Sequence, residues 1–111
     1  MNPAYPGGFE ILAAARPHCV VLQHAPAREL YDGFPDYPLH SLATQIQAIE
    51  LLSGRPVVAV TINHENLDPA ATRRAARAIE DETGLVAVDV LLDGTDRLVE
   101  VIKSQMGRTN P

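Results

Sequence analysis

The apolar positions of this chain fall into blocks of two kinds: short unbroken runs, and longer stretches with a helical period. The runs cover residues 19–22, 56–62 and 86–92. The middle run, Val57-Val58-Ala59-Val60-Thr61-Ile62 after Pro56, is β-branched along most of its length and is the strongest strand signal in the chain. Unbroken apolar runs suit parallel strands covered on both faces. The third run carries one acid, Asp89.

The helical stretches lie before, between and after the runs. Residues 9–16 place Phe9, Leu12 and Ala13 on one face, and Pro17 stops them. From about residue 39 to Ser53, the residues Leu42, Ile46, Ile49 and Leu52 form an apolar stripe. Thr44, Gln45, Gln47 and Glu50 are predicted to face outward, and Gly54 to close the helix in a left-handed cap. Asp68 is a good N-cap with Pro69 at the first helical position. That helix runs through Ala71, Ala75, Ala78 and Ile79 to Gly84. Glu80, Asp81 and Glu82 near its end oppose the helix dipole, so local electrostatics do not explain them. The turn Asp93-Gly94-Thr95 leads to a last helix bearing Leu98, Val99 and Ile102, predicted to fray after Gly107. Residues 1–8 form a Pro/Gly-rich lead-in with one aromatic, Tyr5.

Helices alternating with apolar strands give the order βαβαβα. The predicted class is therefore α/β, with a parallel sheet in a three-layer arrangement and right-handed crossovers. Residues 1–111 are expected to form a single α/β domain. Its least scaffold-like stretch is residues 24–38, which leave the first strand with a His, an Arg, two Tyr, two Asp, a Glu and three Pro. The prolines forbid regular structure there and stiffen the backbone. Open α/β sheets place ligands at the C-terminal ends of their strands, so this loop is the expected site.

Composition narrows the partners. Apolar residues make up 46% of the 111, enough for a modest core. A net charge of −5 with no basic cluster argues against nucleic acid or an anionic membrane. Eight of the nine cationic residues are Arg, with Lys103 the exception; this bias suits carboxylate or phosphate contacts and equally suits a GC-rich genome. The lone Cys19 forms no internal disulfide and is read as a small core residue. With no signal peptide and no apolar run near the ~20 residues that span a bilayer, the expected setting is the cytoplasm.

Neither G-x-x-x-x-G-K-[ST] nor G-x-G-x-x-G occurs, and Gly7-Gly8 follows no convincing strand. No serine stands in a G-x-S-x-G setting. His18, His24, His40 and His64 match no metal-ligand spacing, so no metal site is expected. His18 reads as solvated loop and His40 as a helix-start residue. His24 and His64 both follow strands and are placed to meet above the sheet. His24 is either a general base or a strand-end cap. Arg28 either grips a carboxylate at two points or pairs internally with Glu29, Asp32 or Asp36. Tyr31 and Tyr37 pack flat, with one hydroxyl each to offer. Asp32-Gly33 is a turn, and Asp36 is left open. Asn63 either reads a ligand or makes an Asx turn.

Several of these segments together resemble one family's C-terminal half. They are Pro3-Ala4-Tyr5 before a helix, Val20-Val21-Leu22-Gln23-His24-Ala25-Pro26-Ala27-Arg28, Asp32-Gly33-Phe34-Pro35-Asp36-Tyr37-Pro38, the strand ending in Asn63, and Glu82-Thr83-Gly84-Leu85. The family is the D-glutamate N-acetyltransferase type, long catalogued as proteins of unknown function with a P-loop-like C-terminal domain. The resemblance spans roughly Pro3 to Ile102. It implies acetyl transfer from acetyl-CoA, as co-substrate rather than bound cofactor, to the amino group of D-glutamate. It also implies a Rossmann-like N-terminal domain and a phosphate-binding loop ahead of this region, neither of which this sequence contains. The resemblance thus implies a P-loop/Rossmann-like half-domain, the C-terminal part of a larger enzyme, that is not expected to turn over acetyl-CoA alone.

From chemistry and location, His24 is expected as the catalytic base. Arg28, Asp36, Tyr37, Asn63 and His64 are expected to bind a small acidic amino acid. A homo-oligomer or a complementary N-terminal partner is expected to complete the sheet. The competing class is a non-catalytic binding or oligomerisation module from a truncated or split gene. A third is a small nucleotide binder that uses Asn63 for base recognition.

Overall fold

The computed structural model describes residues 7–31 and 33–109. Tyr5 and Asp32 lie outside them. Three parallel strands form one sheet in the order β1 (Val20–His24), β2 (Val57–Ile62), β3 (Val86–Val88). Helix α1 (Gly8–Ala15) precedes the sheet, α2 (Leu42–Ser53) joins β1 to β2, and α3 (Pro69–Thr83) joins β2 to β3. A single turn, α4 (Val90–Asp93), and a longer helix, α5 (Asp96–Thr109), follow β3. The α/β class expected from the sequence is the one observed.

The central strand organises the core. Val60 and Ile62 project to one face of the pleat, where Leu42 of α2, Ile79 of α3 and Ala87 of β3 close around them. Residues of the other parity, Ala59 and Val88, are buried as well, and α5 packs against β2 and β3. Burial on both faces is what an unbroken apolar parallel strand requires.

Helix ends follow the chemistry read from the chain. Arg16 precedes Pro17, which disfavours the right-handed helical region, and Arg16 takes φ 50°. Asp68 caps α3 by accepting from the Ala71 N–H at 2.7 Å. Gly54 and Gly84 hold φ of 67° and 71°, a conformation that costs glycine little, and their N–H groups satisfy the Glu50 and Glu80 carbonyls.

Four expectations need correction. The third run stops as a strand at Val88, because Asp89 turns its carboxylate onto the Leu91 and Leu92 N–H groups and starts α4. A side-chain acceptor for the first free amides favours a helix start over continued pairing. In α2, Gln45 faces inward, 8% exposed, with its amide donating to the His40 carbonyl at 2.9 Å, while Leu52 is half exposed. A glutamine with a fixed backbone acceptor can be buried at little cost, which an apolar stripe does not anticipate. The last helix continues through Gly107 to Thr109. Finally, β1 is only partly buried, as befits a strand at the edge of the sheet.

Candidate functional site at the strand ends

The loop after β1 holds its shape through backbone bonds that its prolines permit. The Leu39 N–H donates to the Glu29 carbonyl at 2.9 Å and the Tyr31 N–H to the Tyr37 carbonyl at 3.0 Å, around an antiparallel bridge between Leu30 and Pro38. In that bridge Leu30 and Pro38 form the pair whose own N–H groups are not used, so the missing proline donor costs nothing. The Phe34 N–H bonds the Tyr31 carbonyl and the Tyr37 N–H the Phe34 carbonyl, each at 3.0 Å. Tyr31 is buried, its ring edge-on to Tyr37 at 5.3 Å and its hydroxyl 2.7 Å from His40 Nδ1. The tyrosines are therefore the loop's own core, with Tyr37 on its exposed side.

A short chain of contacts joins the loop to the end of β2. The Asn63 N–H donates to the His24 carbonyl at 2.8 Å, extending the parallel pairing by one residue. Asn63 Oδ1 accepts from the Glu65 N–H at 3.1 Å, the Asx turn left open by the sequence. That turn presents Glu65, whose carboxylate pairs with Arg28. Arg28 does pair internally, with Glu65 on the neighbouring strand end; among the described acids near it in sequence, neither Glu29 nor Asp36 is its partner. His24, Arg28, Tyr31, Gln45 and Asn63 line a cleft of about 170 Å³. A second, more open groove of about 480 Å³ runs from His24 and Arg28 to Ala78 and Glu82 on α3.

Burial holds the His24 imidazole below its ordinary pKa, and the Glu82 carboxylate partly offsets this. The His24 imidazole is therefore neutral at physiological pH. The sign of the linkage follows. Unfolded His24 titrates near 6.5, so on acidification the unfolded chain binds the proton first. The stability contribution is complete above 6.5 and is lost as pH falls from there through the folded value. Urea midpoints of the protein are expected to fall more steeply over that window than those of His24→Gln. Parallel profiles would contradict it.

His64 turns the other way. Its Nδ1 lies 2.5 Å from Asp89 Oδ2. Asp89 is 2% exposed and spends its other oxygen on the α4 amides, at 2.9 Å and 3.2 Å. Asp89 was not read as a site residue. The available signal was a lone acid in an apolar run at the end that meets the site. Of the residues expected to form the site, the structure gathers His24, Arg28 and Asn63 around one cleft and gives His64 a carboxylate. It leaves Asp36 exposed and unpaired with any described residue. Among the described residues no group of three or more His, Cys, Asp and Glu is arranged to hold a metal ion, and no helix is long and apolar enough to cross a membrane.

Three parallel strands with helices between them, and a polar rim at the strand ends, define an α/β domain whose fold is consistent with the P-loop class. Residues 1–99 match the family described as the C-terminal P-loop domain of DUF1611, a domain of unknown function. The chain belongs to that family. It is similar in fold to the crystal structure of a DUF1611 family protein from Anabaena variabilis, with a TM-score of 0.86 and 24% identity over 93% of this chain. The match covers 32% of that protein, so this chain spans about a third of its length. No curated protein matches the chain.

Proposed function

We propose that this domain is the C-terminal portion of an N-acetyltransferase that uses acetyl-CoA to acetylate D-glutamate or a related amino acid, and that it is incomplete as a catalyst on its own. The observation that carries the reading is the cleft shared by His24, Arg28 and Asn63. It offers a neutral imidazole for the substrate ammonium and a guanidinium for a carboxylate, the two charged ends of an amino acid. Glu65 bonds Arg28 through Nη2, which leaves the guanidinium's other N–H groups for a ligand carboxylate. Asn63 orients the substrate or the donor from the rim, and His64 stands beside it. Asp36 and Tyr37, on the exposed side of the loop, are proposed as outer contacts. The chain acts in the cytoplasm as a homo-oligomer or with a complementary N-terminal partner.

Calorimetry with D-glutamate tests this reading. Binding to the protein is expected, and Arg28→Lys is expected to weaken it despite keeping the charge, because an ammonium cannot make the planar two-point contact. The loss of a charged hydrogen bond is on the order of 1.5–3 kcal/mol, about ten- to a hundredfold in Kd. Equal affinities would show that Arg28 serves only its ion pair with Glu65. Absence of binding would remove the substrate assignment and favour a non-catalytic module.

A further inference from the structure

We propose that Asp89 is a positioning residue for His64, and that the pair is a second proton-transfer group at the rim of the site. A carboxylate has only acceptor oxygens, so the 2.5 Å contact requires His64 Nδ1 to carry the hydrogen. In the neutral ring the lone pair is then confined to Nε2. An imidazole free in water prefers the opposite form, with the hydrogen on Nε2, so Asp89 imposes the tautomer that leaves Nε2 basic.

The pair is built with some rigidity. Asp89 is almost fully enclosed and held through Oδ1 by the first amides of α4, so its carboxylate cannot rotate without uncapping that turn. His64 follows Asn63, whose N–H is bonded to the His24 carbonyl. Its side chain keeps 41% of its surface exposed, open to a reactant. The arrangement is a buried acid, an oriented imidazole and a free nitrogen one residue beyond Asn63, on the β3 side of the cleft that Asn63 lines.

The chemistry gives this second group a task, and here the inference rests on the acyl-transfer reading above. An ammonium that becomes an amide loses two protons. His24 takes the first, freeing the amine to attack the thioester carbonyl and form the C–N bond. His64 Nε2 takes the second from the tetrahedral adduct and returns it to the sulfur as the C–S bond breaks. The products are the N-acetyl amino acid and the free thiol, with one proton left on His24 for release to water.

The test is chosen so that this proposal and the acyl-transfer reading fail separately. In long-range proton–nitrogen NMR of the protein above the imidazole titration, His64 is expected to show a protonated Nδ1 and an unprotonated Nε2. Asp89→Asn can still cap Leu91 and Leu92 through its amide oxygen while presenting an N–H to Nδ1. It is therefore expected to exchange the two nitrogen signals without loss of fold. Mapped modification by diethyl pyrocarbonate, which needs a free ring nitrogen at the surface, is expected at His64 in the protein and largely lost in Asp89→Asn. A protein whose His64 shows the hydrogen on Nε2, or whose signals and reactivity are unmoved by Asp89→Asn, would overturn the proposal and leave Asp89 a helix cap. Failure of D-glutamate to bind would sink the substrate reading and leave these signatures intact.

Discussion

Ile62→Ala is expected to lower the free energy of unfolding by about 2–5 kcal/mol. Ile62 is 5% exposed on the central strand, packed with Val60, Leu42, Ile79 and Ala87. Truncating it removes apolar surface that came out of water and opens a void beneath two helices that converge on the same strand and cannot both move in. Against a total stability of about 5–15 kcal/mol for a small domain, that loss is a large share. Urea denaturation should show a lower midpoint with an unchanged slope. Leu91→Ala removes a similar side chain from α4 at a position 83% exposed, and is expected to stay within about 0.5 kcal/mol of the parent. Similar losses at both positions would mean that the core is not centred on β2.

The features that a local pattern can encode were legible in the chain. The run Val57–Ile62 could only be a covered strand, and Asp68-Pro69 with Gly84 marked both ends of α3. What the pattern missed depends on partners distant in sequence. Gln45 is polar by composition and buried by virtue of one carbonyl, that of His40. Arg28 has three acids nearby in sequence yet pairs with Glu65, because parallel pairing brings the ends of β1 and β2 side by side. The acids at the end of α3 are explained the same way: Glu80 receives Arg97 from α5 at 2.5 Å, and Glu82 acts on His24. Asp81 stays exposed, and nothing in the structure explains it. Asp89 is the instructive case. Its residue type and its place after Val88 were visible, but its value as a site residue depends on His64, which the sheet brings to it across 25 positions.

Light scattering at micromolar concentration is expected to give a mass near twice the 12.0 kDa of the chain. The reason lies at the edge of the sheet. β1 pairs only with β2 among the described strands, so its outer row of N–H and C=O groups is not used by the sheet. Its residues Val20, Val21 and Leu22 are only half buried, whereas Val57, Ala59, Val60 and Ile62 of β2 are buried. Beside it, α1 and α2 pack together and still expose Ile11, Leu51 and Leu52 at 68%, 83% and 52%. Each large apolar side chain left in water forfeits roughly 1.5–3 kcal/mol. Edge strands are ordinarily protected by inward charges or lysines, and Val20-Val21-Leu22 has neither. The expected arrangement is a two-fold axis beside β1 that would pair the strand antiparallel with its own copy and bring the two exposed helix faces toward each other, using one patch twice. Replacing Val21 with Lys puts a charge on that edge and is expected to return the protein to a monomer. A monomer at every concentration, with sharp cooperative unfolding, would show that β1 needs no further cover.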